Sequence, residues 1–141
     1  MRAAVVLGLI FSALGWWLLH QPVRPAPALI AGLASEGYAG APCPARSLYE
    51  QDARKKRGPR ADSAFAMRLR EEFPLGSPSA ALRDALSRQG FELFSPCAND
   101  ENALGARWRG KNWGEPDAYV YWRIDPDEKL IFLDGHVTRA E

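Results

Sequence analysis

The chain has 141 residues, a formal net charge of +1 and five Trp, six Phe and four Tyr. That length suits one small domain with a leader. The near-neutral charge argues against a bulk polyanion such as nucleic acid as the partner, and the aromatics are enough for a dense small core.

Arg2 is followed by an uncharged apolar run, Ala3 to Leu19. About 17 residues is the lower limit for a spanning helix and slightly long for the core of a signal peptide. Trp16 and Trp17 close the run where interfacial anchors belong. Residues 1–20 therefore read as a transmembrane anchor or a signal segment. Ala26-Pro27-Ala28 is a small-x-small cleavage candidate. No cysteine follows the run at lipobox spacing. The free amine and Arg2 precede the run and only Arg24 lies close after it, which favours a cytoplasmic N-terminus and an external domain.

Residues 21–60 are rich in Pro, Ala and Gly and read as a linker, extended around Pro22, Pro25 and Pro27. A short turn of helix is expected within Leu29–Leu33. Arg54-Lys55-Lys56-Arg57 and Arg60 form a basic run. It reads as solvated linker or as a contact for anionic lipid headgroups or nucleic acid; no aromatics interleave with it, so stacking on bases is not suggested. The two cysteines are Cys43, in this linker, and Cys97. In an oxidising compartment they are expected to form one bridge. The alternatives are buried free thiols, or a thiol paired catalytically with His136, which lacks an orienting partner in any recognised motif.

Residues 61–141 read as an α+β domain. Asp62 or Ser63 can cap a first helix, Ala64 to Phe73, in which Phe65, Leu69 and Phe73 recur every four residues. Pro74 ends it. Ser77 reads as the N-cap of a second helix, with Pro78 at its first position. Leu82, Ala85 and Leu86 give this helix an apolar stripe, and Gly90 stops it in a left-handed conformation. Leu86 and Phe91 then occupy the positions that touch in a Schellman ending.

Strand patterns follow. Phe91 to Phe94 is short. Leu104 to Trp113 alternates, with Leu104, Ala106 and Trp108 on one face and Arg107 and Arg109 on the other. In Tyr119 to Ile124, Val120, Trp122 and Ile124 oppose Tyr119, Tyr121 and Arg123. Asp125-Pro126-Asp127-Glu128 is a tight turn. Leu130 to Leu133 is apolar throughout and reads as a central strand or one covered on both faces. Asp134-Gly135 reads as a further turn or bulge before His136-Val137-Thr138. Short turns impose antiparallel neighbours. The expected architecture is an α+β two-layer sandwich: two helices on a meander of three to four strands, preceded by the N-terminal transmembrane or signal helix.

Leu75-Gly76-Ser77-Pro78 ahead of a short helix, Gly90-Phe91 after it, and the Tyr119-Val120-Tyr121-Trp122 strand leading to Lys129-Leu130-Ile131-Phe132 resemble small envelope domains of the BamE (SmpA/OmlA) type and the beta-lactamase-inhibitor-protein-like fold. The resemblance covers roughly the second half of the chain. It implies a domain that binds proteins and is not an enzyme.

The candidate binding surface is Arg107, Arg109, Tyr119, Tyr121 and Arg123, residue types enriched at binding hot spots. The competing reading is an ordinary solvent face with cross-strand Arg–Tyr stacking. Asp125, Asp127, Glu128 and Asp134 lack the spacing and glycine of an EF-hand, so no metal is expected. No phosphate loop or GxSxG is present, and no cofactor is expected. The sequence thus points to a bacterial cell-envelope protein with a protein partner, in the inner membrane with a periplasmic domain or exported after cleavage. A secreted inhibitor or immunity-type protein, and a small hydrolase or thiol enzyme, are the other two readings.

Overall fold

The computed structural model describes residues 26–35, 43, 62–98, 100–110 and 115–139. The apolar run at 1–20 and the basic run at 54–60 lie outside the described residues, as does Trp113. Among the described residues no helix is long and apolar enough to cross a membrane.

Among the described residues, two α-helices and a four-stranded antiparallel sheet make up an α+β fold. Helix α1 spans Ala64–Glu72 and α2 spans Ser79–Arg88. The strands are β1 (Glu92–Phe94), β2 (Ala103–Trp108), β3 (Pro116–Ile124) and β4 (Leu130–Arg139), hydrogen-bonded in chain order.

Helix α1 starts where Ser63 Oγ accepts from the Ala66 N–H at 2.9 Å, satisfying one of the donors that a helix start leaves open. Phe65, Leu69 and Phe73 form its buried stripe. The start of α2 departs from expectation. Its N-cap is Pro78, which has no side chain to cap with, and the Ser77 hydroxyl instead donates to the Pro74 carbonyl at 2.7 Å. One first-turn donor is met from the turn between β3 and β4, with Ser79 N–H donating to Glu128 O at 2.9 Å. Gly76 N–H also donates to Leu130 O at 2.7 Å, and Leu130 N–H to Ser77 O at 2.9 Å. Residues 76–79 thus meet the β3–β4 hairpin through an isolated bridge, Pro78 opposite Lys129, and those backbone bonds replace the hydroxyl cap.

The end of α2 is a Schellman motif. Gly90 sits at φ 83°, and the Phe91 N–H reaches back to Leu86 O at 3.0 Å. Phe91 is thereby turned into the core beside Leu86.

The helix-facing side of the sheet carries Ala106, Ala118, Val120, Trp122, Leu130, Leu133 and Val137, all buried. Burying each Val or Leu side chain contributes about 1.5–3 kcal/mol relative to exposure. Leu29 and Ile30, in a 3-10 turn at Ala28–Ile30, join the same core. Arg68 holds the turn by donating to Leu29 O at 3.0 Å and Ala31 O at 2.9 Å, while Gln89 Oε1 accepts from Leu29 N–H at 3.0 Å. Part of the Pro/Ala/Gly-rich stretch is therefore core.

Two expectations for β4 are corrected. It is an edge strand of the sheet, not a central one. A bulge opposite Arg123/Ile124 leaves Ile131 outside the pairing and exposed, so Leu130 and Leu133 both reach the core. Asp134-Gly135 is not a turn, since the strand runs through it. Gly135 is where α1 comes closest: a Cβ there would lie 2.7 Å from Leu69 Cδ1 and 2.9 Å from Phe65 Cδ1.

Candidate functional site

The side of the sheet away from the helices is built row by row from the register. One row is Phe94, Gly105, Tyr121 and Asp134; the next is Glu92, Arg107, Tyr119 and His136; a third holds Ala103, Arg123 and Phe132. Arg107, Tyr119, Tyr121 and Arg123 do share this face. Arg109 lies just past the end of β2 and is exposed.

The centre of the face is aromatic. Gly105 leaves room for the Phe94 ring, which would meet a Cβ there at 2.8 Å. Phe94 lies across the glycine and meets Tyr121 edge-on, ring centroids 6.0 Å apart at 83°. His136 stacks on Tyr119 at 5.1 Å and on Tyr121 at 5.8 Å, with rings 12° and 21° from parallel. Such ring pairs contribute about 0.5–1.5 kcal/mol beyond their buried area. Tyr121 is 4% exposed and His136 fully buried. Tyr121 is therefore a packed element of the face, and Tyr119 is half-buried beside it.

Charges flank this centre. Arg123 donates to Asp100 Oδ2 at 2.6 Å, and the Asp100 side chain is 12% exposed. Arg107 Nε lies 3.4 Å from Glu92 Oε2, its cross-strand neighbour. The first pair is charge-assisted, short and sheltered; the second is longer, joins a half-buried arginine to a mostly exposed glutamate, and is worth little. The sequence reading missed Phe94, Gly105, Asp100 and the position of His136. A glycine in one strand with an aromatic in its neighbour is a signal for such packing, but only once the register is known.

Cys43 and Cys97 are joined, with Cα atoms 5.4 Å apart, across a sequence separation of 54. No cysteine is free among the described residues. A thiolate acting with His136 would have to come from this bond. Asp125 serves its own turn: Oδ1 accepts from the N–H groups of Asp127 at 3.0 Å and Lys129 at 2.8 Å. Among the described residues no group of three or more His, Cys, Asp or Glu side chains could hold a metal ion.

Comparison with protein-family models, with curated proteins and with solved structures found no match.

Proposed function

We propose that this chain is a cell-envelope protein whose α+β domain binds another protein, without catalysing a reaction, outside the cytoplasm. The observation that carries the reading is the Cys43–Cys97 bond. Such bonds form and persist in oxidising compartments, and the apolar run Ala3–Leu19 is the kind of segment that takes a chain there or anchors it. The resemblance to BamE-type domains supports the same location and role.

The proposed contact surface is the rim of the outer sheet face, with exposed Arg109 and half-buried Arg107, Tyr119 and Arg123. Tyr121 belongs beneath it as packing. Arg and Tyr are the residues whose loss most often weakens interfaces.

The test places a photo-crosslinking residue at Arg109 and, separately, at Arg83 on the exposed side of α2, in cells making the full chain. A discrete protein adduct from position 109 that is absent from 83 supports the reading. No adduct from 109, or the same adducts from both, refutes the surface. Blocking thiols before lysis tests the compartment: cysteines alkylated without prior reduction refute an oxidising location.

A further inference from the structure

In an antiparallel ladder, alternate residues turn both backbone groups away from the neighbouring strand. On the free edge of β4 those residues are Leu133, Gly135 and Val137, and side chains occupy their carbonyls. Arg70 Nε donates to Leu133 O at 2.8 Å, Ser63 Oγ donates to Gly135 O, and Ser35 Oγ donates to Val137 O at 3.4 Å. The outward N–H of Gly135 donates to Asp134 Oδ1 at 2.8 Å. Where the strand begins, Leu130 has both backbone groups bonded to residues 76 and 77.

The line of outward carbonyls is therefore occupied at Leu130, Leu133, Gly135 and Val137. The opposite edge, β1, has only three residues, and a short edge is a weak template. An open ten-residue edge such as β4 would be a strong one. Two donors, Ser63 and Arg70, come from α1 and its cap and the third, Ser35, from the chain ahead of it, and they converge on one line of carbonyls. None of these donors needs that line for its own solvation, because a hydroxyl or guanidinium can be hydrated at the surface.

We propose that this side-chain ladder is a lock against strand addition, and that the partner it shuts out is a second copy of this chain. β4 is self-complementary about Gly135. Turned antiparallel about a two-fold axis there, Leu133 of one copy faces Val137 of the other and the outward groups meet in register. Such a contact is isologous and closed, so it ends at a dimer.

The test uses the full-length chain in non-ionic detergent, as wild type and as Ser35→Ala/Ser63→Asp/Arg70→Met. Aspartate at 63 still accepts from the Ala66 N–H but cannot donate to Gly135 O. Methionine at 70 keeps an apolar stem without the donor. Copies are counted by native mass spectrometry, and amide hydrogen exchange reads β4. The expected result is a wild-type monomer and a variant of doubled mass, with slowed exchange at Leu133 and Val137. A folded variant that stays monomeric overturns the proposal. So does a dimer with unchanged exchange on β4, or a wild type already paired through it. If the triple variant does not fold, Ser35→Ala/Ser63→Gly/Arg70→Met, in which glycine is a tolerated N-cap without a donor, is judged by the same outcomes.

Discussion

Gly135→Ala is the sharpest test of the packing between α1 and the sheet. The added methyl would sit 2.7 Å from Leu69 Cδ1 and 2.9 Å from Phe65 Cδ1. Both neighbours are essentially fully buried, at 0% and 1% exposure, so neither can swing into solvent. Overpacking of this kind costs about 1–3 kcal/mol. Gly135 lies outside the positive-φ region, so alanine brings no backbone strain and regains about 0.5–1 kcal/mol by restricting the unfolded chain. The net expected loss is centred on about 1 kcal/mol, within roughly 0–2.5 kcal/mol. For a domain of this size each kcal/mol moves Tm by roughly 4–8 °C, so the central expectation is a fall of roughly 4–8 °C. Urea and thermal unfolding of wild type, Gly135→Ala, Leu69→Ala and the double variant check it. Leu69→Ala alone should cost about 2–5 kcal/mol. In the Gly135→Ala background it should cost less, because the cavity receives the methyl, with a coupling of about 0.5–3 kcal/mol. An additive cycle refutes the claim that α1 rests on the bare backbone of β4.

Replacing both Cys43 and Cys97 by Ala should lower stability by about 4 kcal/mol in the chain-entropy treatment of a loop this long; an unchanged urea midpoint refutes a constraining bond. Glu128 holds a left-handed backbone at φ 57°, which costs a non-glycine residue about 1–2 kcal/mol. Glu128→Asn should therefore raise Tm by a few degrees, and a lower Tm would count against the turn geometry. Tyr121→Ala should destabilise by about 3–5 kcal/mol, as loss of a buried aromatic does, whereas Arg109→Ala should stay within about 0.5 kcal/mol. Equal effects in thermal melts would contradict the division between packed centre and exposed rim.

Whether an element could be read from the chain depended on how local its causes are. The end of α2 was legible because Leu86, Gly90 and Phe91 carry the whole motif within six positions. The Ser63 cap and the Phe65–Leu69–Phe73 stripe are local too. The Ser77 cap was misread because the hairpin at Glu128–Leu130 supplies the bonds, far along the chain. The run Leu130–Leu133 suggested two covered faces because a bulge lets adjacent apolar residues go different ways. On the outer face, residue types and alternation placed Arg107, Tyr119, Tyr121 and Arg123 together. The burial of Tyr121 needs Phe94, Gly105 and His136 in one register, and no single strand contains that information.

The contacts of Leu29 and Ser35 impose an order on how this protein is made. The Leu29 N–H waits for Gln89, 60 positions later, and the Ser35 hydroxyl for Val137, 102 positions later. At synthesis rates of ~5–20 residues per second, the second interval is roughly 5–20 s. For that time Leu29 and Ile30 have no completed core to enter. The meander can zip from neighbour to neighbour, but these early residues close the domain only when the last strand arrives. The first part of the described chain to leave the ribosome is thus among the last to be buried, and until then it is the part most open to a chaperone or a protease.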